Sequence, residues 1–255
     1  MAKIMANTRL RDKLKEYHAS LVYDAVKLAI SKPIRVSRTP AIVFAPHHDD
    51  ETFGCGGLIA LKRQLGVRAK LVFLTDGARS HDQVRTVEPD LLREIRKEEA
   101  LNAAGALGVD SGDVIFLDIP DQGLGSLSGK LKEQITQRIT KLLTDFQAPE
   151  IYVPHRRDRH PDHEAAYRIV TEAIRQSALA LQVFQYPVWL VWGSRLGLRL
   201  TVSDLSYARL LSISEVHQKK LQAIAAYSSQ ADTLPPGFLK QSLKKYEIFF
   251  CRPIG

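Results

Sequence analysis

The chain has 255 residues, 45% hydrophobic and 25% charged, enough apolar material to bury a sizeable core in one α/β domain. It contains no run of 18 or more apolar residues, and its first residues, MAKIMANTRLRDKLKEYH, hold no signal-peptide hydrophobic block; neither membrane spanning nor secretion is expected, and a cytoplasmic location follows by default. The net charge of +8 is concentrated in residues 1–40, which hold nine Lys or Arg against three Asp or Glu; the other 215 hold 27 against 25, with no basic stripe interleaved with aromatics, so a nucleic-acid partner is not expected.

In chain order, Leu10, Leu14, Tyr17, Leu21, Ala25 and Leu28 recur at helical spacing with Arg and Lys between them, which predicts a basic amphipathic helix stopping before Pro33. Its first expected contact is the body of the protein, and peripheral contact with an anionic membrane surface is the second. A boundary near residue 38 separates this appendage, 1–38, from the body, 39–255. From Pro40 onward short apolar runs alternate with longer helical patterns, as in repeated β-α units around a parallel sheet. Strands are predicted at Ala41–Ala45, Leu71–Thr75, Val114–Leu117 and Ile151–Pro154. Helices are predicted near Gly56–Leu65, Pro89–Leu107, Leu127–Phe146 and His163–Ser177. Beyond these, 183–204 reads as strands with turns, 213–228 as a helix and Tyr246–Cys251 as a closing strand. Cys55 and Cys251 are too few for a disulfide framework and lack metal-knuckle spacing, which suits a reducing compartment.

Five of the eight histidines fall in two short segments, His47 and His48 in PHHDDETFGCGG, and His155, His160 and His163 in PHRRDRHPDH. Each segment follows a predicted strand, and the carboxyl ends of parallel strands share one edge, so the two clusters are expected to form one site. His47 and Asp50 can place a nitrogen and a carboxylate oxygen on one metal ion, and His163 supplies a third donor; two His and one carboxylate with an open position is a recurring catalytic zinc arrangement. Asp49 is then a candidate general base. His160, if not a ligand, can stabilise an oxyanion as a protonated ring, with Asp162 as the partner holding it charged. His48 and His155 are expected to be structural, and Glu51 to brace the loop by accepting backbone hydrogen bonds. GCGG at Gly54–Gly57 matches neither dinucleotide nor Walker patterns, and close packing of the helix on the loop accounts for its glycines.

P-H-H-D-D-E at Pro46–Glu51 resembles the A-H-P-D-D-E signature of the LmbE-like, PIG-L family of N-acetylglucosaminyl deacetylases, and H-P-D-H at His160–His163 resembles that family's second signature. R-K-E-E-A-L-N-A-A-G-A-L-G-V from Arg96 and F-L-D-I-P-D from Phe116 are similar to the family's R-x-x-E helix and its following P-D loop, and Tyr227–Gln230 (YSSQ) is a weaker echo of H-x-S-Q. The likeness spans roughly residues 40–165 and departs from the pattern at His48, where the family commonly has proline. It implies a Rossmann-like fold with the site at the carboxyl ends of the strands. It also implies one zinc ion on His47, Asp50 and His163, Asp49 as base, His160 as the oxyanion-stabilising imidazolium, and Arg96 in contact with the sugar or its phosphate-bearing portion. The expected reaction is hydrolysis of an N-acetyl amide in a GlcNAc-containing small molecule or glycoconjugate. The alternatives are a metal-dependent phosphoesterase, which asks for a second metal, and a catalytically silent carbohydrate-binding or membrane-docking protein. The loop Asp76–Val87, with Arg79, His81 and Arg85, is a candidate gate or selector of substrate, and no oligomeric state follows.

Overall fold

A computed structural model describes residues 13–14, 16–17, 19–21, 24, 27, 32–80, 87–190, 200–230 and 233–252. The eight strands among them are β1 (Pro33–Ile34), β2 (Ala41–Ala45), β3 (Ala69–Thr75), β4 (Val114–Ile119), β5 (Glu150–Pro154), β6 (Gln182–Tyr186), β7 (Ala208–Ser212) and β8 (Tyr246–Phe250). They form one sheet in the order β1-β7-β8-β6-β5-β2-β3-β4. Every neighbouring pair is parallel except those of β8, which runs antiparallel to β6 and β7. The helices are α1 (Asp50–Gln64), α2 (Pro89–Ala106), α3 (Gly129–Phe146), α4 (Pro161–Ser177), α5 (Val202–Tyr207), α6 (His217–Ala226) and α7 (Pro236–Ser242).

β2 shows why its sequence has no polar alternation. Val43 and Ala45 face one core with Leu58 and Ile59 of α1, Ala100 and Ala103 of α2, and Ala223 of α6. Ile42 and Phe44 face the other with Ile139 and Leu143 of α3 and Ile169 and Val170 of α4. A strand covered by helices on both faces must be apolar throughout, and each fully buried large side chain there contributes roughly 1.5–3 kcal/mol. The expected α/β architecture, a mostly parallel sheet flanked by helices, is present. β2 leads to β3 and β4 on one side, while β5 and β6 lie on the other, so the carboxyl ends of β2 and β5 meet at a topological switch point.

Several elements differ from expectation. The first helix begins at Asp50 rather than near Gly56, because Asp49 turns the chain sharply at φ 130° and its carbonyl accepts from Thr52 and Phe53. The glycines therefore lie inside the helix, where a Cβ on Gly54 would stand 2.2 Å from the Tyr186 ring and one on Gly57 2.4 Å from Ile213. They let α1 approach the edge of β6 and the chain after β7. In the expected strand region 183–204 only β6 is a strand among the described residues; α5 and β7 follow it, and α7 and the short edge strand β1 had no clear periodic signal. Cys55 and Cys251 are free thiols.

The described N-terminal residues 13–27 are helical and are held on the body by polar and small groups. Ala19 is buried among Leu190, Leu200 and Ile248. Glu16 pairs with Lys240 at 2.5 Å, Asp24 with Lys244 at 3.5 Å, and the Lys27 ammonium lies over the Tyr246 ring. Leu14, Tyr17 and Leu21 of the expected apolar stripe face outward, at 59%, 66% and 50% exposed. Leu10, Ala25 and Leu28 lie outside the described residues. β1, within the 1–38 segment, adds a second attachment by pairing with Leu210 and Leu211.

Gly57→Ala tests the close approach of α1. In an open helix the change adds about 1 kcal/mol of stability, but here the new methyl meets Ile213, and a net loss of about 1–3 kcal/mol is expected from overpacking. Thermal unfolding of Gly57→Ala, of Ile213→Ala and of the Gly57→Ala/Ile213→Ala pair checks it: truncating Ile213 should cost less when Gly57→Ala is already present than in the native chain, and additivity would remove the packing explanation.

Candidate metal centre

His47 leaves the end of β2 with its backbone N–H donating to Asp50 Oδ2 at 2.9 Å, which fixes the loop onto the first turn of α1. His160 is the N-cap of α4 and His163 lies in that helix's first turn. The two strand-end segments thus meet as the clustering predicts. His47 Nδ1 lies 3.2 Å from Asp50 Oδ2, Asp50 Oδ2 lies 3.1 Å from His163 Nε2, and His163 Nε2 lies 3.2 Å from His47 Nδ1. Donors of a tetrahedral zinc with bonds of about 2.0–2.1 Å stand about 3.3 Å apart, so this triangle has the dimensions of three corners of such a site. Two looser groupings share its members: His47, His160 and His163, and His47, Asp121 and Asp162, each with donor atoms within 4.8 Å.

Each imidazole is aimed from behind. His47 Nε2 faces Asp121 Oδ1 and Asp162 Oδ2, both at 3.3 Å, and His163 Nδ1 faces Asp158 Oδ2 at 2.7 Å. Such contacts place the proton on the outer nitrogen and leave the inner lone pair facing the centre, the usual support for a metal-ligating histidine. Burial opposes positive charge on His47, yet Asp121, Asp162 and Asp50 outweigh it and raise the ring well above its ordinary range. Burial likewise opposes charge on His163, and Asp50 and Asp158 overcome it to bring the ring to about 9. The field at this point favours a cation.

Asp49 is buried, and burial pushes its carboxyl up to about 8 against the pull of Arg96 and with the help of Asp50. Its Oδ2 accepts from Arg96 at 3.2 Å, and its backbone N–H donates to Glu51 Oε2 at 3.2 Å, so Glu51 braces the loop as expected. Arg96, expected to contact the sugar, is only 2% exposed, and its guanidinium donates to Asp49 and to the carbonyls of His48 and Gly77. These protein acceptors make it a brace for the loop and for Asp49, although it also borders the cleft. Gly77, at φ 63°, permits this approach, since a Cβ there would stand 3.0 Å from the guanidinium.

Asp162, expected to hold His160 charged, favours charge on that ring but is outweighed. Its carboxylate serves His47 and accepts from Leu124 N–H at 3.1 Å, while its backbone N–H donates to His160 Nδ1 at 3.2 Å. Burial, together with the rings of His47 and His163, lowers His160 to about 4, so at neutral pH it is a neutral ring with its remaining proton on Nε2. His48 and His155 are buried away from the cleft, His48 against Phe73 and Phe116 and His155 against Phe250.

His47, Asp49, Asp50 and His160 lie in a cleft of about 570 Å³, with Arg79, Asp121, Gln122 and Gln230 as further polar lining. Phe53, Val188, Trp189, Leu234 and Phe238 make an apolar wall. Residues 81–86 of the expected gating loop lie outside the described residues.

Sequence reasoning missed Asp121, Asp158 and Glu99. Asp121 stands in the F-L-D-I-P-D motif, which was a usable signal. Glu99 accepts from Ser228 Oγ, Ser229 N and Ser229 Oγ at 2.7–3.0 Å, and Tyr227 donates its hydroxyl to Glu51 Oε1 at 2.6 Å, which wires YSSQ to both the R-x-x-E helix and the start of α1.

Residues 42–174 match the family described as PIG-L: GlcNAc-PI de-N-acetylase, and the chain belongs to that family. It is 28% identical over 135 residues to the probable N-acetyl-alpha-D-glucosaminyl L-malate deacetylase 2 of Bacillus subtilis strain 168, a match covering 52% of this chain and 59% of that protein. The fold is similar to N,N'-diacetylchitobiose deacetylase from Pyrococcus horikoshii, with a TM-score of 0.61 and 20% identity over 86% of this chain and 79% of that one. It is also similar to GalB, the 4-carboxy-2-hydroxymuconate hydratase of Pseudomonas putida KT2440, with a TM-score of 0.62 and 21% identity over 79% of this chain and 83% of that one. A shared fold therefore does not by itself choose the reaction.

His48 and His155 give a pH test. Burial holds His48 well below its ordinary value and lowers His155 to about 3. Both rings stay neutral when folded, whereas the unfolded chain protonates them below about pH 6.5. Their contribution to stability is intact above about pH 6.5 and lost as pH falls below it, by about 1.4 kcal/mol per unit for each ring. Unfolding measured between pH 7 and 5 should show a shallower acid loss in His48→Phe than in the native chain; an unchanged slope would contradict a neutral, buried His48.

Proposed function

We propose that the chain hydrolyses the N-acetyl amide of a GlcNAc-containing small molecule or glycoconjugate, releasing acetate and a free amine, with one zinc ion on His47, Asp50 and His163. The observation that carries this reading is the three-donor triangle of 3.1–3.2 Å edges, two of whose members, His47 and Asp50, line one cleft with Asp49 and His160. Zinc held there would polarise the amide carbonyl and acidify the attacking water. Asp49, kept in place by Arg96 and favoured in its ionised form by a cation beside it, accepts the proton of that water and returns it to the departing nitrogen. The Nε2–H of neutral His160 is the donor for the oxyanion that develops as water adds to the carbonyl. The C–N bond then breaks to give acetate and the amine.

The phosphoesterase alternative is less well supported. The nearest further carboxylates, Asp121 and Asp162, face His47 Nε2 and accept from the backbone N–H groups of Arg79 and Leu124, so few donors remain for a second metal. Asp49 and His160 in the cleft weigh against a catalytically silent protein.

We also propose that the outward stripe of Leu14, Tyr17 and Leu21 rests on an anionic membrane surface. The reading is supported by their exposure, by the basic excess of residues 1–40, and by the turning of Glu16 and Asp24 towards the body. No helix among the described residues is long and apolar enough to cross a membrane.

The catalytic reading is tested by acetate release from N-acetylglucosamine derivatives alongside metal quantification. Chelation should abolish release and zinc restore it. Asp49→Ala should keep one zinc per chain and lose about 10²- to 10⁴-fold in rate, whereas Asp50→Ala should lose the zinc; an Asp49 variant that cannot hold zinc would reverse the two assignments. For the membrane reading, co-sedimentation with phosphatidylserine vesicles should fall for Leu14→Ser/Leu21→Ser without loss of hydrolysis. Equal sedimentation of native and variant chains would reject the stripe as the contact.

A further inference from the structure

Asp158 is 0% exposed, and a buried carboxylate is costly unless all its oxygens are served. Four donors serve this one. Oδ1 accepts from the backbone N–H groups of Val188 and Leu190, each at 2.9 Å. Oδ2 accepts from the N–H of Trp189 at 2.9 Å and from His163 Nδ1 at 2.7 Å. Three of the four donors belong to one segment, 188–190, which follows β6 and supplies Val188 and Trp189 to the apolar wall of the cleft. Trp189 is stacked on Phe238 with ring centroids 4.4 Å apart, and Phe238 meets Phe53 edge-on at 5.2 Å. A single carboxylate thus joins a candidate metal ligand to the wall along which a substrate would lie.

We propose that Asp158 is a positioning residue that couples metal binding at His163 to the order of the Val188–Trp189 wall. The proposal rests on the metal assignment above and goes beyond it. Asp158 keeps the His163 proton on Nδ1 and so turns Nε2 towards His47 and Asp50. A cation on Nε2 strengthens the Nδ1–H donor, which draws the carboxylate more firmly into the place where it also receives the three backbone N–H groups. Coupling of this kind is reciprocal: a ligand that orders the wall should also tighten the metal.

The experiment uses the full chain, first in its native form. Amide hydrogen exchange at Val188, Trp189 and Leu190 is measured with and without one equivalent of zinc, and zinc affinity by chelator competition. Zinc is expected to slow exchange at these three amides. In Asp158→Asn, which turns an NH₂ towards donors that need an acceptor, zinc should bind about 10- to 100-fold more weakly, and its effect on the three amides should vanish. A purely structural Asp158 would lower the melting temperature and leave zinc affinity unmoved, which would overturn the proposal. Should the variant fail to fold, the native chain decides alone: zinc bound with exchange at 188–190 unchanged overturns the coupling while the metal site stands. A native chain that binds no zinc overturns both.

Discussion

Two imidazole nitrogens and a carboxylate oxygen stand 3.1–3.2 Å from one another at the end of β2, and the surroundings are arranged to keep their lone pairs convergent. Rings left to themselves would rotate towards water. His47 is held by Asp121 and Asp162, His163 by Asp158, and Asp50 by the backbone N–H of His47. A parallel sheet provides the rigid frame, since β2 and β5 are neighbours with their carboxyl ends on one edge. The loops that carry the donors need only be short.

Around this centre, remote segments are tied by buried charge. Arg96 and Glu99 are three residues apart on α2 and so share a face; the first grips the His47–Asp50 loop, and the second grips Ser228 and Ser229. Tyr227 closes the circuit to Glu51. Hydrogen bonds to charged groups contribute about 1.5–3 kcal/mol each, and losing one partner leaves the other buried and unserved. This circuit holds the C-terminal segment with Gln230 against the cleft, one side of which is polar and the other aromatic.

Much of this was legible in the sequence where chemistry and periodicity coincide. AIVFA announces a strand buried on both faces, and two His and Asp clusters after strands announce a shared site; the structure brings His47, Asp50 and His163 together as those patterns imply. What was not legible depends on tertiary direction. Asp162 lies two residues from His160 in sequence, but its carboxylate points across to His47, because the first turn of α4 sends its backbone N–H, not its side chain, back to the N-cap. Arg96 borders the cleft, but its hold on the carbonyls of His48 and Gly77 and on Asp49 depends on contacts distant in sequence. Asp158 is one more acid in an arginine-rich loop until the chain after β6 lays three amides on it. The C-terminal third, with a short helix, an inserted strand and one antiparallel strand, lacks the β-α rhythm that made the first part readable.

X-ray absorption at the zinc edge of the zinc-loaded chain shows directly which atoms hold a bound zinc. The His47, Asp50 and His163 set gives two imidazoles with oxygen donors completing a four-coordinate shell at about 2.0–2.1 Å and no sulfur. A shell with three imidazoles, placing His160 among the ligands, or with a sulfur at about 2.3 Å from a cysteine, would contradict it.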